Sequence, residues 1–301
     1  MAPAGGRHSR ARRGVPARGA RLKRLATVAA LGALLLAACA REPAAPARER
    51  IVSVAPNLTE MLFAAGAADQ IVAVSAYSDY PQAASALPQV GDAFRLDFER
   101  IVALAPTVAV VWENGTPAGV AQRLQDLGIR VVQVPTRTLD DIATGVLTMG
   151  ELAGTRAIAE RAARDYRARI VALREQYRDR PAIRVFVQID DAPLFTVGGP
   201  HLITEILGLC GGDNVFADAE AQALPVDLES VLARAPEVIL STDTDQPAQY
   251  WARFPQLTAV ARGNLYQSSG DLLARPSPRI ADGAADVCAR LDEARAKRGP
   301  S

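Results

Sequence analysis

Short β-branched runs alternate with stretches of helical period along most of the chain. The runs are Ile51–Val54, Ile71–Val74, Val108–Val111, Val131–Val134, Arg184–Gln188, Val238–Ser241 and Leu265–Gln267. Between them, apolar positions recur every three or four residues, as in Leu58–Ala65, Val120–Leu127, Ile203–Leu209 and Ser230–Ala235. Such alternation predicts an α/β architecture with largely parallel sheets. One segment stands apart. Arg156–Tyr177 contains no Gly or Pro and is rich in Ala, Arg and Glu, all good helix formers. Its apolar residues fall at Ile158, Ala162, Tyr166, Ile170 and Leu173. It predicts a single helix of roughly 33 Å, stopped by Asp179-Arg180-Pro181.

The two halves around this helix echo each other. Thr59-Glu60-Met61-Leu62 is followed by Gly66, and Thr204-Glu205-Ile206-Leu207 by Gly211 at the same spacing. Further on, Glu99–Pro106 matches Glu229–Pro236 in strict register. Chance likeness of amphipathic segments is the alternative, but two matches in the same order favour two similarly folded halves. The period is too long for a solenoid. The expected fold is therefore two Rossmann-like α/β lobes joined by a single long helix. The expected limits are 49–154 for the N-terminal lobe, 155–179 for the linking helix, 180–296 for the C-terminal lobe and 297–301 for a tail. A cleft between two such lobes is a natural ligand site.

Residues 25–38 form an apolar run behind eight basic residues and directly before Cys39. Fourteen helical residues span about 21 Å, short of a bilayer core of about 30 Å. Residues 1–38 thus read as a signal peptide, of Sec type because Arg12-Arg13 lacks the apolar residues of a twin-arginine motif. Leu36-Ala37-Ala38-Cys39 resembles a bacterial lipobox, which would make Cys39 the lipidated N-terminus. An ordinary signal peptide with a chance cysteine is the alternative. Residues 39–48 hold Pro43 and Pro46 without periodicity and read as a tether. The protein is expected outside the cytoplasm, in the periplasm or at the cell surface, reaching a membrane through the lipid only.

Export changes the meaning of Cys210 and Cys288. Two cysteines in an exported domain suggest a disulfide. Closing a loop of that length adds about 4 kcal/mol in the chain-entropy model. Two buried thiols are the other reading. Charge adds a further exclusion. Formal net charge is +1 over 301 residues, yet beyond the basic leader 33 acidic residues face 26 basic ones. An acidic body argues against a nucleic-acid partner. His8 and His201 are the only histidines, which excludes a His-rich metal centre. No GxGxxG, GxxxxGK[ST] or GxSxG occurs.

Arg50–Pro56 (RIVSVAP), Thr59-Glu60, Tyr77–Pro81 (YSDYP), Glu99–Pro106 and Ser277-Pro278-Arg279 resemble the substrate-binding proteins of cobalamin, haem and ferric-siderophore ABC importers, cobalamin binders most of all. The resemblance covers Glu49 to Leu291. It implies the helical-backbone two-lobe fold, a Cys210–Cys288 disulfide, no catalytic activity and no cofactor beyond the captured ligand. It also implies a monomer that delivers a large chelate, cobalamin or a related corrinoid, to a permease and its ATPase. By the same resemblance, Tyr77, Trp112 and Phe195 grip the ligand's flat face. Arg279 and the segment Tyr250-Trp251 lie near it, and Glu99 and Glu229 dock to permease arginines. Rigid aromatic faces suit a large, rather apolar disc. Four further cleft aromatics of cobalamin binders are replaced here by Ala93, Ile189, Ala223 and Leu272, with Phe94 beside the first.

Each of these residues has a structural reading too. Tyr77 and Phe195 could be core residues, and periodicity alone favours that. Glu99 and Glu229 could each support the first turn of a helix. Trp112 ends an apolar strand before Glu-Asn-Gly, and carboxyl ends of parallel strands face the ligand crevice. On the same scaffold, a haem binder would use an axial Tyr77, Tyr80 or His201. A siderophore binder would use Arg95, Arg275 and Arg279. Asp190-Asp191 and Asp140-Asp141 do not make acid–base dyads, because neighbouring residues diverge on strands and helices alike.

Overall fold

The computed structural model describes residues 48–92, 94–242 and 247–298. Cys39, with the leader and the tether up to Ala47, lies outside the described residues, as do Ala93 and the last three residues. The first lobe runs β1 (Ile51–Ser53), α1 (Pro56–Ala64), β2 (Ile71–Val74), α2 (Phe98–Ala103), β3 (Val108–Trp112), α3 (Ala118–Asp126), β4 (Arg130–Val134) and α4 (Leu139–Ala153). Its strands form one parallel sheet in the order β2-β1-β3-β4. Then comes the linking helix α5 (Arg156–Tyr177).

The second lobe runs β5 (Ile183–Gln188), β6 (Asp190–Asp191), β7 (Leu194–Val197), α6 (Leu202–Leu209), β8 (Gly212–Asn214), β9 (Ala223–Pro225), α7 (Leu228–Arg234) and β10 (Val238–Ser241). It ends with α8 (Pro247–Trp251), α9 (Thr258–Ala261), β11 (Leu265–Gln267), α10 (Gly270–Leu273) and α11 (Ile280–Ala296). Its parallel sheet has the order β11-β10-β5-β8, and β6-β7-β9 make a small antiparallel sheet. The architecture is the expected one, two α/β lobes joined by one long helix. All seven predicted strands are present. Residues of β1 and β10 are buried throughout, as parallel strands covered on both faces require. The strands that patterning missed, β6, β7, β8 and β9, are only two to four residues long, and β6 and β8 are also polar, so their pairing partners define them rather than any apolar period.

The sequence echo is also an echo of local structure. α2 and α7 each start on an aspartate, Asp97 or Asp227, whose carboxylate accepts the backbone N–H three residues on. Each is followed by an alanine in the left-handed region, Ala105 at φ 46° and Ala235 at φ 44°, and then a proline. An arginine closes each turn from the neighbouring strand. Arg50 donates to the carbonyls of Leu104 and Ala105, and Arg184 to that of Arg234. The first strands pair with the third ones alike, through Thr107 N to Arg50 O and Glu237 N to Arg184 O, both at 2.9 Å.

α5 has the predicted length, but its buried stripe differs at the start. Ala159, Ala163, Tyr166, Ile170 and Tyr177 face inward, while Ile158 is half exposed. The cause is a close approach of α4, since a Cβ on Gly150 would collide with that of Ala159. Only small residues fit that crossing, so Ile158 is turned out over Gly66. Through this inner face one connected apolar core runs from the first sheet into the second. A disulfide joins Cys210, after α6, to Cys288 in α11. Among the described residues no helix is long and apolar enough to cross a membrane.

Candidate functional site

Trp112 is the last residue of β3, at the carboxyl end of the first sheet. Its indole N–H donates to Thr136 Oγ at 2.7 Å, which fixes the ring plane. The chain then turns back beneath it, and a Cβ on Gly115 would collide with the ring. The Glu-Asn-Gly turn is thus a glycine seat for a half-buried indole. Asn114 supports it by accepting from Thr136 N at 3.1 Å. Trp112 lines a cavity of about 300 Å³ whose other wall is His201, Ala223, Leu273 and Pro276 of the second lobe. The carboxyl ends of the strands therefore do open onto an inter-lobe cleft. Its size lies at the lower end of ligand pockets.

Tyr77 sits on the loop after β2 with φ 64°, a conformation that costs a bulky residue about 1–3 kcal/mol. The flanking residues hold it there. Ala76 N donates to Gly91 O at 2.7 Å, and Ser78 Oγ joins Thr59 Oγ at 3.0 Å in a buried hydroxyl group with Ser53. The ring itself is 71% exposed. The core reading of Tyr77 is therefore wrong: a strained aromatic is pinned at its backbone and presented to solvent. Phe195, in β7, is half-buried opposite Asp190. Neither ring lines the cavity beside Trp112.

The same loop is tied to the other lobe. Arg275 donates to Asp79 at 2.6 Å and pairs with Asp271 at 2.9 Å. Asp79 is held below the usual carboxylate range chiefly by that Arg275 hydrogen bond. From sequence, Arg275 is one of three candidate arginines for a siderophore. The structure places it between lobes, directly between the wall residues Ala274 and Pro276.

The Arg279 guanidinium makes a two-toothed pair with Glu60, at 2.9 Å from Nε and through Nη2. It also lies 4.0 Å over the Tyr80 ring. The Glu60 carboxylate raises the already high pKa of Arg279 further. Ser277 donates to the same carboxylate, and Glu60 is only 5% exposed. Glu60 thus reaches from α1 to the start of α11.

Its counterpart in the repeat does the mirror task. Glu205 Oε2 accepts the N–H of Leu139 at 2.8 Å, reaching from α6 to the start of α4. The linking helix adds one ion pair on each side, Arg167 to Asp140 on α4 and Arg169 to Asp282 on α11. Tyr166 OH, whose pKa is raised by burial and then by Glu205, donates to Leu139 O at 2.9 Å. Sequence reasoning saw both Thr-Glu pairs as a repeat but gave them no role. Their recurrence in both halves was the available signal.

Trp251 requires correction. It is fully buried, donates its indole N–H to Gln188 at 2.7 Å, and packs edge-on against Phe186 and Tyr250. No face is left for a ligand. Tyr250 is half-buried in the same cluster, under Arg253. Glu99 and Glu229 are both exposed in the first turns of α2 and α7, two residues past equivalent caps. Asp141 completes a capping box with Thr138, and Asp190 accepts from its own loop, so neither aspartate pair is a dyad. Among the described residues no cluster of three or more His, Cys, Asp or Glu could hold a metal.

Comparison with known proteins places this geometry. Over 245 residues the chain is 36% identical to the vitamin B12-binding protein of Vibrio cholerae serotype O1, covering 81% of this chain and 89% of that one. The solved structure of the periplasmic vitamin B12 binding protein BtuF of Vibrio cholerae superposes with a TM-score of 0.78 at 35% identity, over 83% of this chain and 98% of that one. The periplasmic heme-binding protein RhuT from Roseiflexus shares the fold, with a TM-score of 0.73 at 23% identity over 82% and 99% of the chains. Residues 51–267 match the family described as periplasmic binding protein, and with two lobes, one linking helix and an inter-lobe cleft the chain belongs to that family.

Proposed function

We propose that the protein captures cobalamin or a related corrinoid in the cleft between its lobes and hands it to an ABC permease. The observation that supports this most is Trp112 on its glycine seat, facing the second lobe at the carboxyl end of β3. A fixed indole is the kind of surface that grips a broad, mostly apolar macrocycle by dispersion. Tyr77 supplies a second exposed ring on a loop tied across the cleft by Asp79 and Arg275. Phe195 contributes from β7. Tyr250 supports the wall of the second lobe rather than touching the ligand. The chain has no catalytic role, so the chemistry is capture and release.

Glu99 and Glu229 suit the second half of the task. They stand on equivalent helices of the two lobes, exposed and one per lobe, and would meet two arginine-bearing permease subunits. Charge complementarity of this kind sets specificity and on-rate more than affinity. Cys39 carries the lipid, and the domain, from residue 49 on, works at the outer side of a membrane as a monomer. The test is uptake of labelled cyanocobalamin by cells with the Glu99→Ala/Glu229→Ala double variant. Binding in solution stays intact and uptake is lost. Normal uptake rules out the docking role. Hemin is the control ligand: a Soret shift on mixing, at equal or higher affinity than cyanocobalamin, replaces the corrinoid reading with a haem one.

A further inference from the structure

His201 stands at the start of α6 with its side chain turned back onto the helix. Its Nδ1 accepts the N–H of Ile203 at 3.1 Å, so the imidazole is the N-cap of that helix. An acceptor nitrogen holds no proton. In a neutral imidazole the proton then sits on Nε2. Burial lowers the pKa of the ring and keeps it neutral. The ring also lines the cleft opposite Trp112, and among the described residues nothing accepts from Nε2. Resting on the corrinoid reading above, we propose that His201 is a specificity residue of the cleft whose Nε2–H donates a hydrogen bond to an oxygen of the ligand, and that it is not a metal ligand.

The exclusion follows from the cap. To bind a metal, Nε2 must lose its proton, and a neutral ring would then carry it on Nδ1. That N–H would point at the N–H of Ile203 and the cap would be lost. An orphaned amide at a half-buried helix start is costly. A donor opposite an aromatic face suits a macrocycle that stacks on Trp112 and carries carbonyl oxygens at its rim. The side-chain amides of a corrin and the phosphodiester of its nucleotide arm are both acceptors of this kind.

The test separates cap from donor. Asparagine is among the best N-caps but is too short to replace the imidazole at the cleft. His201→Asn is expected to keep the Tm and to weaken cyanocobalamin binding about 3- to 10-fold, the effect of one lost hydrogen bond. His201→Ala is expected to lose both. Dicyanocobinamide distinguishes the acceptors: an equal loss with both ligands assigns a ring amide, and a loss with cyanocobalamin alone assigns the phosphodiester. Nitrogen NMR of the ligand-free protein should show a protonated Nε2 and an unprotonated Nδ1 on His201. The opposite tautomer overturns the proposal, as does a hemin complex whose iron–histidine signature vanishes in His201→Asn. Equal cyanocobalamin affinity of wild type and His201→Asn overturns the donor role while the corrinoid reading stands. No binding of cyanocobalamin by the wild type overturns that reading, and the donor role with it.

Discussion

At the end of β3 the first lobe has Trp112, half-buried against its glycine seat; at the equivalent place after β10 the second lobe has the small, buried Thr242. At the start of the first helix the roles reverse, with Pro56 in one lobe and the cleft-lining His201 in the other. Elsewhere the lobes agree closely. Both use an aspartate cap, a left-handed alanine, an arginine on the helix carbonyls and a Thr-Glu pair whose glutamate crosses to the other lobe. The repeated residues build a frame that holds the lobes at one angle. Of the residues that differ, Trp112 and His201 line the cleft between the lobes.

The frame itself is not evenly strong. Only the second lobe carries a disulfide, since Ala65 stands where Cys210 does. Only the first-lobe glutamate meets a guanidinium, whereas Glu205 meets a single backbone N–H. This ranks the frame variants. Cys210→Ala/Cys288→Ala should cost about 4 kcal/mol of stability in urea unfolding, by loop length alone. Glu60→Ala should cost about 2–3 kcal/mol, somewhat below a fully buried pair because Arg279 keeps some contact with water. Glu205→Ala should cost about 1 kcal/mol, one hydrogen bond. If Glu205→Ala proves as costly as Glu60→Ala, the two ties are equal and the asymmetry is wrong.

The cleft variants should show the opposite profile, with affinity lost and stability kept. Trp112→Ala should weaken cyanocobalamin binding by about 2 kcal/mol, some 30-fold, as a central aromatic anchor does. Gly115→Ala should weaken it less, through a displaced ring that near-ultraviolet circular dichroism would register. Thr242→Ala serves as the control in the other lobe, with little change in either quantity.

The smallest effect is on pH. Hydrogen bonds from Arg275 and Arg167 hold Asp79 and Asp140 below the usual carboxylate range. A depressed folded pKa adds stability that is complete above the unfolded value of about 4 and fades as pH falls through the folded one. Both carboxylates are largely exposed, so the sum stays under about 1 kcal/mol. Asp79→Asn/Asp140→Asn should lower stability near neutrality by under about 1 kcal/mol and flatten its fall below pH 4, so that variant and wild type converge in acid.

The fold was readable because parallel strands buried on both faces are apolar runs, and because α5 has no helix breaker in 22 residues. Trp112 was readable for a related reason: it follows such a run and precedes a turn. Residues whose role depends on distant partners were not. Nothing local to Arg279 or Trp251 says that one is claimed by Glu60 and the other sealed behind Phe186. Tyr77 was misjudged from periodicity because its exposure follows from a left-handed backbone, and no hydrophobic pattern encodes that. The short antiparallel sheet that carries Phe195 escaped for lack of length.

The central claim is that the divergent walls of this cleft hold a corrinoid. Isothermal titration of cyanocobalamin into the soluble chain beginning at Ala40 tests it most directly. The account predicts saturable one-to-one binding at submicromolar affinity, with Tyr77, Trp112 and Phe195 sufficing where other aromatics are absent. No heat with cyanocobalamin, and none with cobinamide, contradicts it.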